Sequence, residues 1–504
     1  MKIVKIWPPL VIGAAFFAAF KFSGAPAQAE LKVMSNGIAP VTAYDPSSAV
    51  FAPAYFLLEN IFSPLLEYSS GDELVSGAAE RFEWAGSEAR FTMRSGFMTA
   101  DGRAIDAADA EQSLKRLFIL GGREPDLLRA LLCGGAPLKK LSDPCPGLEV
   151  REGGRVLAMK FSERKPFLFH LLTNISYAVI PRGSIEPATL KIKDYRNTSG
   201  PYFVSRDAGG GSIELQANPH HYRYSKDIPQ KVRIIPLLEN LKNEEALGRL
   251  LSGKIDYMPI FLVRNADDKA RFVSDNGGYN AHFSQPIRMV YAVFTDRGLK
   301  TLTAEERFFI AKKLRSLYKA RRERCEAPDQ IFKMEGALSR PQLQAIRGRL
   351  EAPAERVIKK KLTAPGLFSY FWGDAEDIKK WLPNAAESVP PGPGAPARPA
   401  EPDFRLVGGD IGFQDDVGLV SYYLDMDFFR MSAPEKKDWF EKYAAFRDKK
   451  DRMKMLQTLH YRTLAAAHVL PVALLPYASV ARKPWAFEAP GMVAGDQLWR
   501  LKRN

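Results

Sequence analysis

Alternating and helical patterns of apolar residues follow one another along the chain. The segment LKVMS at 31–35 alternates as a β-strand does. An apolar stripe in 54–68 predicts a helix. Strand-like alternation returns at 202–206 and 212–217, on either side of the glycine-rich AGGGS, which predicts a hairpin. The mixture of both periods indicates an α/β protein.

Helical signals are strongest in the middle and in the last third of the chain. Asp106 is placed to cap a helix whose first turn carries Asp109. Residues 304–320 predict an amphipathic helix, and the charged segment 321–364 is expected to be mostly helical. One long helix is predicted over 435–467.

The N-terminus has the layout of a secretory signal peptide. Lys2 and Lys5 precede the apolar stretch 6–20, which is shorter than the roughly 20 residues of a membrane-spanning helix. Ala27-Gln28-Ala29 then provides a small-x-small cleavage signal. We expect cleavage after Ala29, which removes residues 1–29, and a periplasmic mature protein; an uncleaved anchor is the alternative.

The length of the chain indicates how many structural units it forms, and its charge indicates which ligands or surfaces it favours. A chain of 504 residues is long enough for two to four structural units. Its 72 Lys and Arg against 58 Asp and Glu give a formal net charge of +14, which favours anionic ligands or surfaces unless the charges are simply scattered. The proline-rich segment 389–402 predicts an exposed loop, with partner docking as the alternative.

Three cysteines are too few for a disulfide-rich scaffold. Cys133 and Cys145 enclose a short Gly/Pro-containing loop, and in an oxidising compartment we expect them to form a disulfide. Cys325 is left over and is expected to be a free thiol.

No pattern of catalytic or metal-ligating residues stands out. The six histidines lack metal-ligand spacing, and both G-x-S-x-G and a dinucleotide-binding G-x-G-x-x-G after a strand are absent. We therefore expect no cofactor, no metal and no nucleic-acid partner. A secreted chain of this size without such motifs indicates a binding protein rather than an enzyme.

A resemblance to a known family indicates which kind of binding protein this is. The block RFTMRSGFMTADGRAIDAADAEQSLKRLF at 90–118 resembles, nearly position by position, a pattern of the family 5 extracellular solute-binding proteins, the oligopeptide/dipeptide/nickel-type receptors of ABC importers. Shorter blocks resemble the family in the same order: Tyr44-Asp45-Pro46, ENIFSPLLEY (59–68), SGPYF (199–203), LQANPHHY (215–222), ALGRLLSGKIDYMP (246–259), VYAVFTD (290–296), AEERFFIAKKLRSLY (304–318) and VLPVALLPYASVARKPW (469–485).

The resemblance implies a two-lobe, hinged periplasmic-binding-protein fold of type II, in the large cluster that has an extra subdomain in the first lobe. The two lobes would close on a ligand, with hinges near 262 and 468. The expected division is a first lobe of 30–50, 186–262 and 468–504, an extra subdomain of 51–185 and a second lobe of 263–467.

The chain also departs from the family pattern. Peptide-binding members hold the ligand's α-amino group with an aspartate, and Gly412 stands at its place here. This argues against recognition of a free amine and so against ordinary peptides. Thr295 replaces an asparagine of the family, and the histidines do not match nickel recognition.

Candidate ligand contacts come from loops expected to face the cleft. From the first lobe these are Ser35, Asn36 and Tyr44; from the second they are Arg288, Tyr370, Trp372, Phe413, Asp415 and Asp416. Aromatic and polar anchors of this kind are typical of solute pockets. The alternatives are core packing for the aromatic residues, a surface ion pair for Arg288 and a helix cap or surface acid for Asp415.

The resemblance implies a monomeric receptor that delivers a peptide-like or other small organic solute to an inner-membrane permease. Two other functions stay open: a non-transport interaction protein, as sensor partner or chaperone, and a secreted hydrolase.

Overall fold

The structure is a computed structural model. It describes residues 30–503 except 37–39, 50–51, 70–72, 136, 210, 238–242, 261–265, 353–356, 366–379, 389–400, 412–414, 427 and 488–496. The predicted signal peptide and most of the proline-rich loop therefore lie outside the described residues.

Eighteen strands form in the described residues. They are β1 (Leu31–Asn36), β2 (Leu66–Tyr68), β3 (Leu74–Ser76), β4 (Ala79–Ala85), β5 (Glu88–Met93), β6 (Leu148–Arg151), β7 (Val156–Lys160), β8 (Tyr202–Asp207), β9 (Ile213–Ala217), β10 (Lys231–Leu237), β11 (Tyr257–Met258), β12 (Tyr279–Phe294), β13 (Leu362–Pro365), β14 (Ala385–Ser388), β15 (Phe404–Asp410), β16 (Val469–Arg482), β17 (Trp485–Phe487) and β18 (Leu501–Arg503).

Twelve α-helices accompany them: α1 (Ala52–Ile61), α2 (Ala107–Leu120), α3 (Arg123–Leu132), α4 (Leu168–Leu171), α5 (Asn243–Leu251), α6 (Ala266–Asp275), α7 (Asp296–Thr301), α8 (Ala304–Arg321), α9 (Arg340–Glu351), α10 (Asp416–Asp425), α11 (Ala433–Ala445) and α12 (Lys449–Ala465). Across the described part of the chain, no helix combines the length and apolar character that crossing a bilayer requires.

Local capping chemistry fixes several helix ends. Asp106 accepts from the backbone N–H groups of Ala108 and Asp109, and the Asp109 side chain accepts from the N–H of Asp106, so α2 begins with a capping box. Thr303 and Glu306 form the same reciprocal pair at the start of α8.

One eight-stranded sheet organises the molecule, in the order β15-β12-β16-β11-β1-β10-β9-β8. The long strands β12 and β16 are antiparallel neighbours over almost their whole length. Their register breaks where Pro286 lies opposite Pro476. Because proline has no N–H to donate, the ladder is interrupted on both strands at the same level. There the N–H of Tyr477 donates instead to the Ser284 hydroxyl at 2.8 Å.

Two hydrophobic cores lie along these strands. The first core joins side chains of β1, β10, α1 and α5 to Phe272, Tyr279 and Val480. The second core joins α2 and the four-stranded sheet β4-β5-β7-β6 to Met289, Tyr291 and Leu474. Packing thus changes from one core to the other within β12 and β16. The lobe boundaries expected near 262 and 468 stay a prediction.

A fully buried lysine lies near the crossover, our name for the part of β12 and β16 where packing changes from one core to the other. Lys269, on α6, is 0% exposed. Its ammonium donates to the carbonyl of Pro259 at 2.9 Å and to the carbonyl of Ala478. A buried ammonium is tolerated only when its hydrogens are taken up in this way, so this side chain links the segment after β11 to the middle of β16.

Two sequence-based expectations about helices were wrong. In the described part of 321–364, Arg321 ends α8 and Arg340–Glu351 forms α9, while the rest is not helical. The charged residues between these helices bind separate partners; Arg324, for example, pairs with Asp267 at 2.9 Å. The helix expected over 435–467 is two helices, because the Asp448 side chain accepts from the N–H of Lys450 and caps a new one.

The structure pairs Cys133 with Cys145 in a disulfide. It closes a loop with a sequence separation of 12 between the end of α3 and the strand β6. Both cysteines are buried in the second core.

We expect the double substitution Cys133→Ser/Cys145→Ser to lower the free energy of unfolding by roughly 3 kcal/mol, because the open loop gains conformational entropy in the unfolded chain. Urea denaturation measures this. Cys325→Ser is the matched control, since Cys325 is the free cysteine of the described residues and its replacement should leave the midpoint nearly unchanged. Equal midpoints for all three proteins would contradict the expectation.

Candidate binding site between the two cores

The residues expected from the first lobe lie in or beside the first core. Ser35 and Tyr44 are 2% and 4% exposed, and they line a small apolar cavity with Phe56, Leu57 and Ile234. Their burial argues against direct contact with a solute in a cleft. Asn36 ends β1 opposite Leu237.

Tyr370, Trp372 and Phe413 fall outside the described residues, and so does Gly412, the position that replaces the family aspartate.

Asp415 and Asp416 begin α10 and have structural partners. Asp415 is the helix cap that the sequence left open as an alternative: its carboxylate accepts from the N–H of Gly418 at 2.6 Å. Asp416 accepts from Arg452 at 2.5 Å and 3.0 Å and from the Tyr443 hydroxyl at 2.8 Å. Burial opposes ionisation of Asp416, but the bonds from Arg452 and Tyr443 outweigh it and lower its pKa.

We expect Asp416→Asn to cost roughly 3–5 kcal/mol of stability, because it leaves the buried Arg452 guanidinium without its charge partner. Thermal denaturation measures the loss. Asp451→Asn removes an exposed partner of Lys454 on the same protein and should change stability by less than about 1 kcal/mol. A stable Asp416→Asn variant with impaired solute binding would instead make Asp416 a ligand contact.

Arg288 is the expected site residue that the structure places at the junction of the two cores. It lies on β12, opposite Asp410 on β15 and Leu475 on β16. Its Nη1 donates to the Tyr477 hydroxyl at 2.6 Å, and that hydroxyl donates to Asp410 Oδ1 at 2.7 Å. Arg288 Nη1 and Asp410 Oδ1 are 3.8 Å apart. We call Arg288, Tyr477 and Asp410 the junction triad.

The triad is buried at one end and open at the other. The Arg288 side chain is 12% exposed, whereas that of Asp410 is 51% exposed. Burial disfavours the charge of Arg288, but Tyr477 and Asp410 more than compensate and raise its pKa. The guanidinium is thus held as a cation, while Asp410 can still accept hydrogen bonds from a solute. Arg288 is not the surface ion pair considered as its alternative.

A glycine makes this arrangement possible. Gly408 lies on β15 beside the Arg288 guanidinium, and a Cβ at this position would be 2.3 Å from Nη2 and 2.8 Å from Cζ. Any side chain at 408 would therefore push the guanidinium away from the strand. The Gly408-Gly409 pair in the sequence is explained by this close approach and by the contact of Gly409 with Met426 and Tyr423.

Tyrosines from both sides surround the triad. Burial, followed by the charge of Asp410, raises the pKa of Tyr422 on α10 to about 12. Burial also raises the pKa of Tyr55 on α1, with added repulsion from Glu59, Tyr422, Glu124 and Asp410. Tyr55 belongs to a helix of the first core and Tyr422 to a helix of the second, so the site lies where the two cores meet.

The arrangement suits binding better than catalysis. One Ser–His contact is present, Ser63 Oγ to His221 Nε2 at 3.1 Å, but both side chains are buried, and His221 Nδ1 accepts from the backbone N–H of Arg223 rather than facing a carboxylate. Burial lowers the pKa of His221 well below its usual value. In the described ranges, no group of three or more His, Cys, Asp and Glu residues is arranged to hold a metal ion.

Comparison with known proteins agrees with this picture. No family model matches the chain. The periplasmic murein peptide-binding protein MppA of Escherichia coli (strain K12) is 24% identical over 282 residues, and the match spans about half of each protein, 51% of this chain and 51% of MppA.

Solved structures match over far more of the chain. Haemophilus influenzae OppA in complex with the peptide RPPGFSPFR has a TM-score of 0.67 at 14% identity, covering 94% of this chain and 99% of OppA. AgaA from A. tumefaciens R10 in complex with agropinic acid has a TM-score of 0.65 at 15% identity, covering 94% and 99%. E. coli MppA has a TM-score of 0.64, and its unliganded open form has 0.56.

These matches confirm the predicted two-lobe periplasmic-binding-protein fold. Together with the MppA match they agree with the resemblance to the family 5 solute-binding proteins.

We expect Gly408→Ala to weaken binding of the solute about ten-fold or more and to lower stability by about 1–3 kcal/mol, because the new methyl group displaces the buried Arg288 guanidinium from Tyr477 and Asp410. Calorimetric titration and thermal denaturation measure the two effects. Gly348→Ala is the control, since a Cβ there meets nothing within 4 Å. If Gly408→Ala binds as the wild type does, the Arg288 guanidinium does not contribute to the site.

Proposed function

We propose that this relative of the family 5 solute-binding proteins is the substrate-binding receptor of an ABC importer. It would capture a peptide-like or other small organic solute between two closing lobes and deliver it to a permease in the inner membrane. The observation that carries the proposal is the junction triad, a fixed cation beside a half-exposed carboxylate where helices of both cores meet, in a chain with the fold of solute receptors.

The mechanism follows from where the triad lies. A solute held there would touch Tyr55 on the side of the first core and Tyr422 on the side of the second. Contacts made to both sides exist only in the closed form, so the solute shifts the population toward closure. The gap in hydrogen bonding at Pro286 and Pro476 is where we place the bending.

The chemistry of the triad supports a solute with both hydrogen-bond donors and acceptors. Arg288 offers a charged donor and Asp410 a charged acceptor within 3.8 Å of each other. With Gly412 in place of the family aspartate, Asp410 is the carboxylate best placed to hold an amine. OppA is solved in complex with a peptide and AgaA in complex with agropinic acid, so proteins of this fold bind organic solutes of both kinds.

The compartment and partners follow from the same relationship. We infer that the mature chain is periplasmic, released by cleavage after Ala29, and acts as a monomer that meets its permease after closure. MppA is a periplasmic protein. We infer a binding role rather than an enzymatic one, because the relatives bind substrates and the described Ser–His contact lacks an acid.

We expect the purified mature protein to show a reproducible excess mass in native mass spectrometry that is lost on denaturation, which identifies the co-purified solute. Adding that solute to the stripped protein should lower the radius of gyration in small-angle scattering, because the lobes close. Arg288→Met should reduce affinity about ten-fold or more, whereas Arg347→Met, which removes an exposed ion pair with Asp329, should not.

Solute binding without compaction would contradict capture by closure. If the protein binds no solute from a periplasmic extract, the receptor proposal fails and the non-transport interaction protein takes its place.

A further inference from the structure

A second polar cluster lies where α3 packs against α10. Glu124 is in the first turn of α3, Asp415 caps α10, Ser421 lies on α10, and Tyr177 ends a short 3-10 turn at Ile175–Tyr177. Arg123 fixes the two helices together, since its Nη1 donates to the Ser421 carbonyl at 2.8 Å and pairs with Asp425 at 2.7 Å. We call Glu124, Asp415, Tyr177 and Ser421 the acidic cluster.

One hydroxyl of this cluster has no hydrogen-bond partner among the described residues. Tyr177 is 4% exposed, and its hydroxyl is unsatisfied. It lies within the electrostatic reach of both Glu124 and Asp415, and the buried Ser421 hydroxyl donates to the Glu124 carboxyl. Buried hydroxyls without partners are costly and rare in folded proteins, so the cluster has the character of an unfilled polar site.

The charges around the cluster are unbalanced. Glu124 faces Asp415 and Asp425 on α10, Tyr177 on the 3-10 turn and Tyr55 on α1. Asp415 faces Asp416, Tyr443 on α11 and Arg452 on α12. The nearby cations are already committed, Arg123 to Asp425 and Arg452 to Asp416.

Both carboxyls hold protons close to neutral pH. Burial is the main cause that raises the pKa of Glu124 to about 7, with repulsion from Asp415 and Asp425 added. Burial likewise raises the pKa of Asp415 to about 6, although the N–H of Gly418 opposes the shift. A cation bound between the carboxyls can take the place of these protons.

We propose that the acidic cluster is a second subsite, which takes a cationic side chain, an ammonium or guanidinium, of a peptide-like solute. The inference rests on the proposed receptor function. Tyr55 lies within the electrostatic reach of both Asp410 and Glu124, which relates the subsite to the junction triad. The carboxylates of Glu124 on α3 and Asp415 on α10 would contact the cation, and the hydroxyls of Tyr177 and Ser421 would complete its coordination.

The test compares alanine tripeptides that carry lysine at one position with the same tripeptides carrying norleucine, which has no charge. Binding is measured by calorimetric titration at pH 5.5 and pH 8. At pH 8 we expect a lysine peptide to bind about ten-fold or more tightly than its norleucine partner. Lysine stays protonated throughout, whereas the carboxyls ionise between the two pH values, so this preference should fade at pH 5.5.

Glu124→Gln should abolish the lysine preference while keeping the affinity for the norleucine peptide, and Tyr177→Phe should weaken the preference. Asp126→Asn is the matched control, because it removes the same charge from α3 at a side chain that is 45% exposed, and it should keep the preference. Circular dichroism checks that each variant folds.

The outcomes separate the two proposals. If wild type binds both peptides equally at pH 8, the subsite is overturned and the receptor function stands. If Glu124→Gln retains the preference, the cation is bound elsewhere and the subsite is again overturned. If no tripeptide binds at either pH, a receptor for peptide-like solutes fails, and the subsite fails with it.

Discussion

The pairing of β12 with β16 is the interaction on which the rest of the structure depends. These two strands hold the centre of the large sheet and contribute buried residues to both cores. They also carry Arg288 and Tyr477, which lie on either side of the level at which Pro286 faces Pro476. A change in the angle of the strands at the prolines therefore moves the polar anchors and the walls of the cleft together. In such an arrangement the same two strands couple ligand binding to lobe closure, and no further structural element is needed.

The net charge of the chain is positive, but the charges at the two candidate sites are mostly negative. The chain carries a formal net charge of +14, yet the junction triad and the acidic cluster together contain three carboxyls, those of Asp410, Glu124 and Asp415, and one cation, Arg288. The overall charge governs long-range attraction, whereas recognition depends on groups within a few ångströms. A basic protein can thus select the cationic end of a solute.

Local signals predicted much of the fold and little of the site. The cap at Asp106, the hairpin of β8 and β9 and the helix α8 depend on neighbours in sequence, and the structure has all three. The break at Asp448 was missed because a helix period continues across it. For Asp415 the sequence left two roles open, a ligand contact and a helix cap. The structure makes it the cap of α10, which could not be decided without knowing where that helix begins.

The acidic cluster could not be found from the sequence. Arg123 and Ser421, which join its two helices, are 298 positions apart, and no motif links them. Arg288 was chosen as part of a loop expected to face the cleft, whereas it lies within β12. Its partner Tyr477 lies in an apolar strand that reads as core. Ser35 and Tyr44 were chosen for their positions after a strand, and apolar packing around β1 and α1 decides their surroundings instead.

The buried Lys269 gives the molecule an internal reporter of its own motion. Its side chain is fully buried, and its ammonium is bound to the carbonyls of Pro259 and Ala478. An amine-reactive reagent can acylate it only during excursions in which those carbonyls separate, whereas surface lysines react at once. The rate at which this one amine is labelled therefore counts how often the crossover loosens, and it does so in the unmodified protein without any engineered probe.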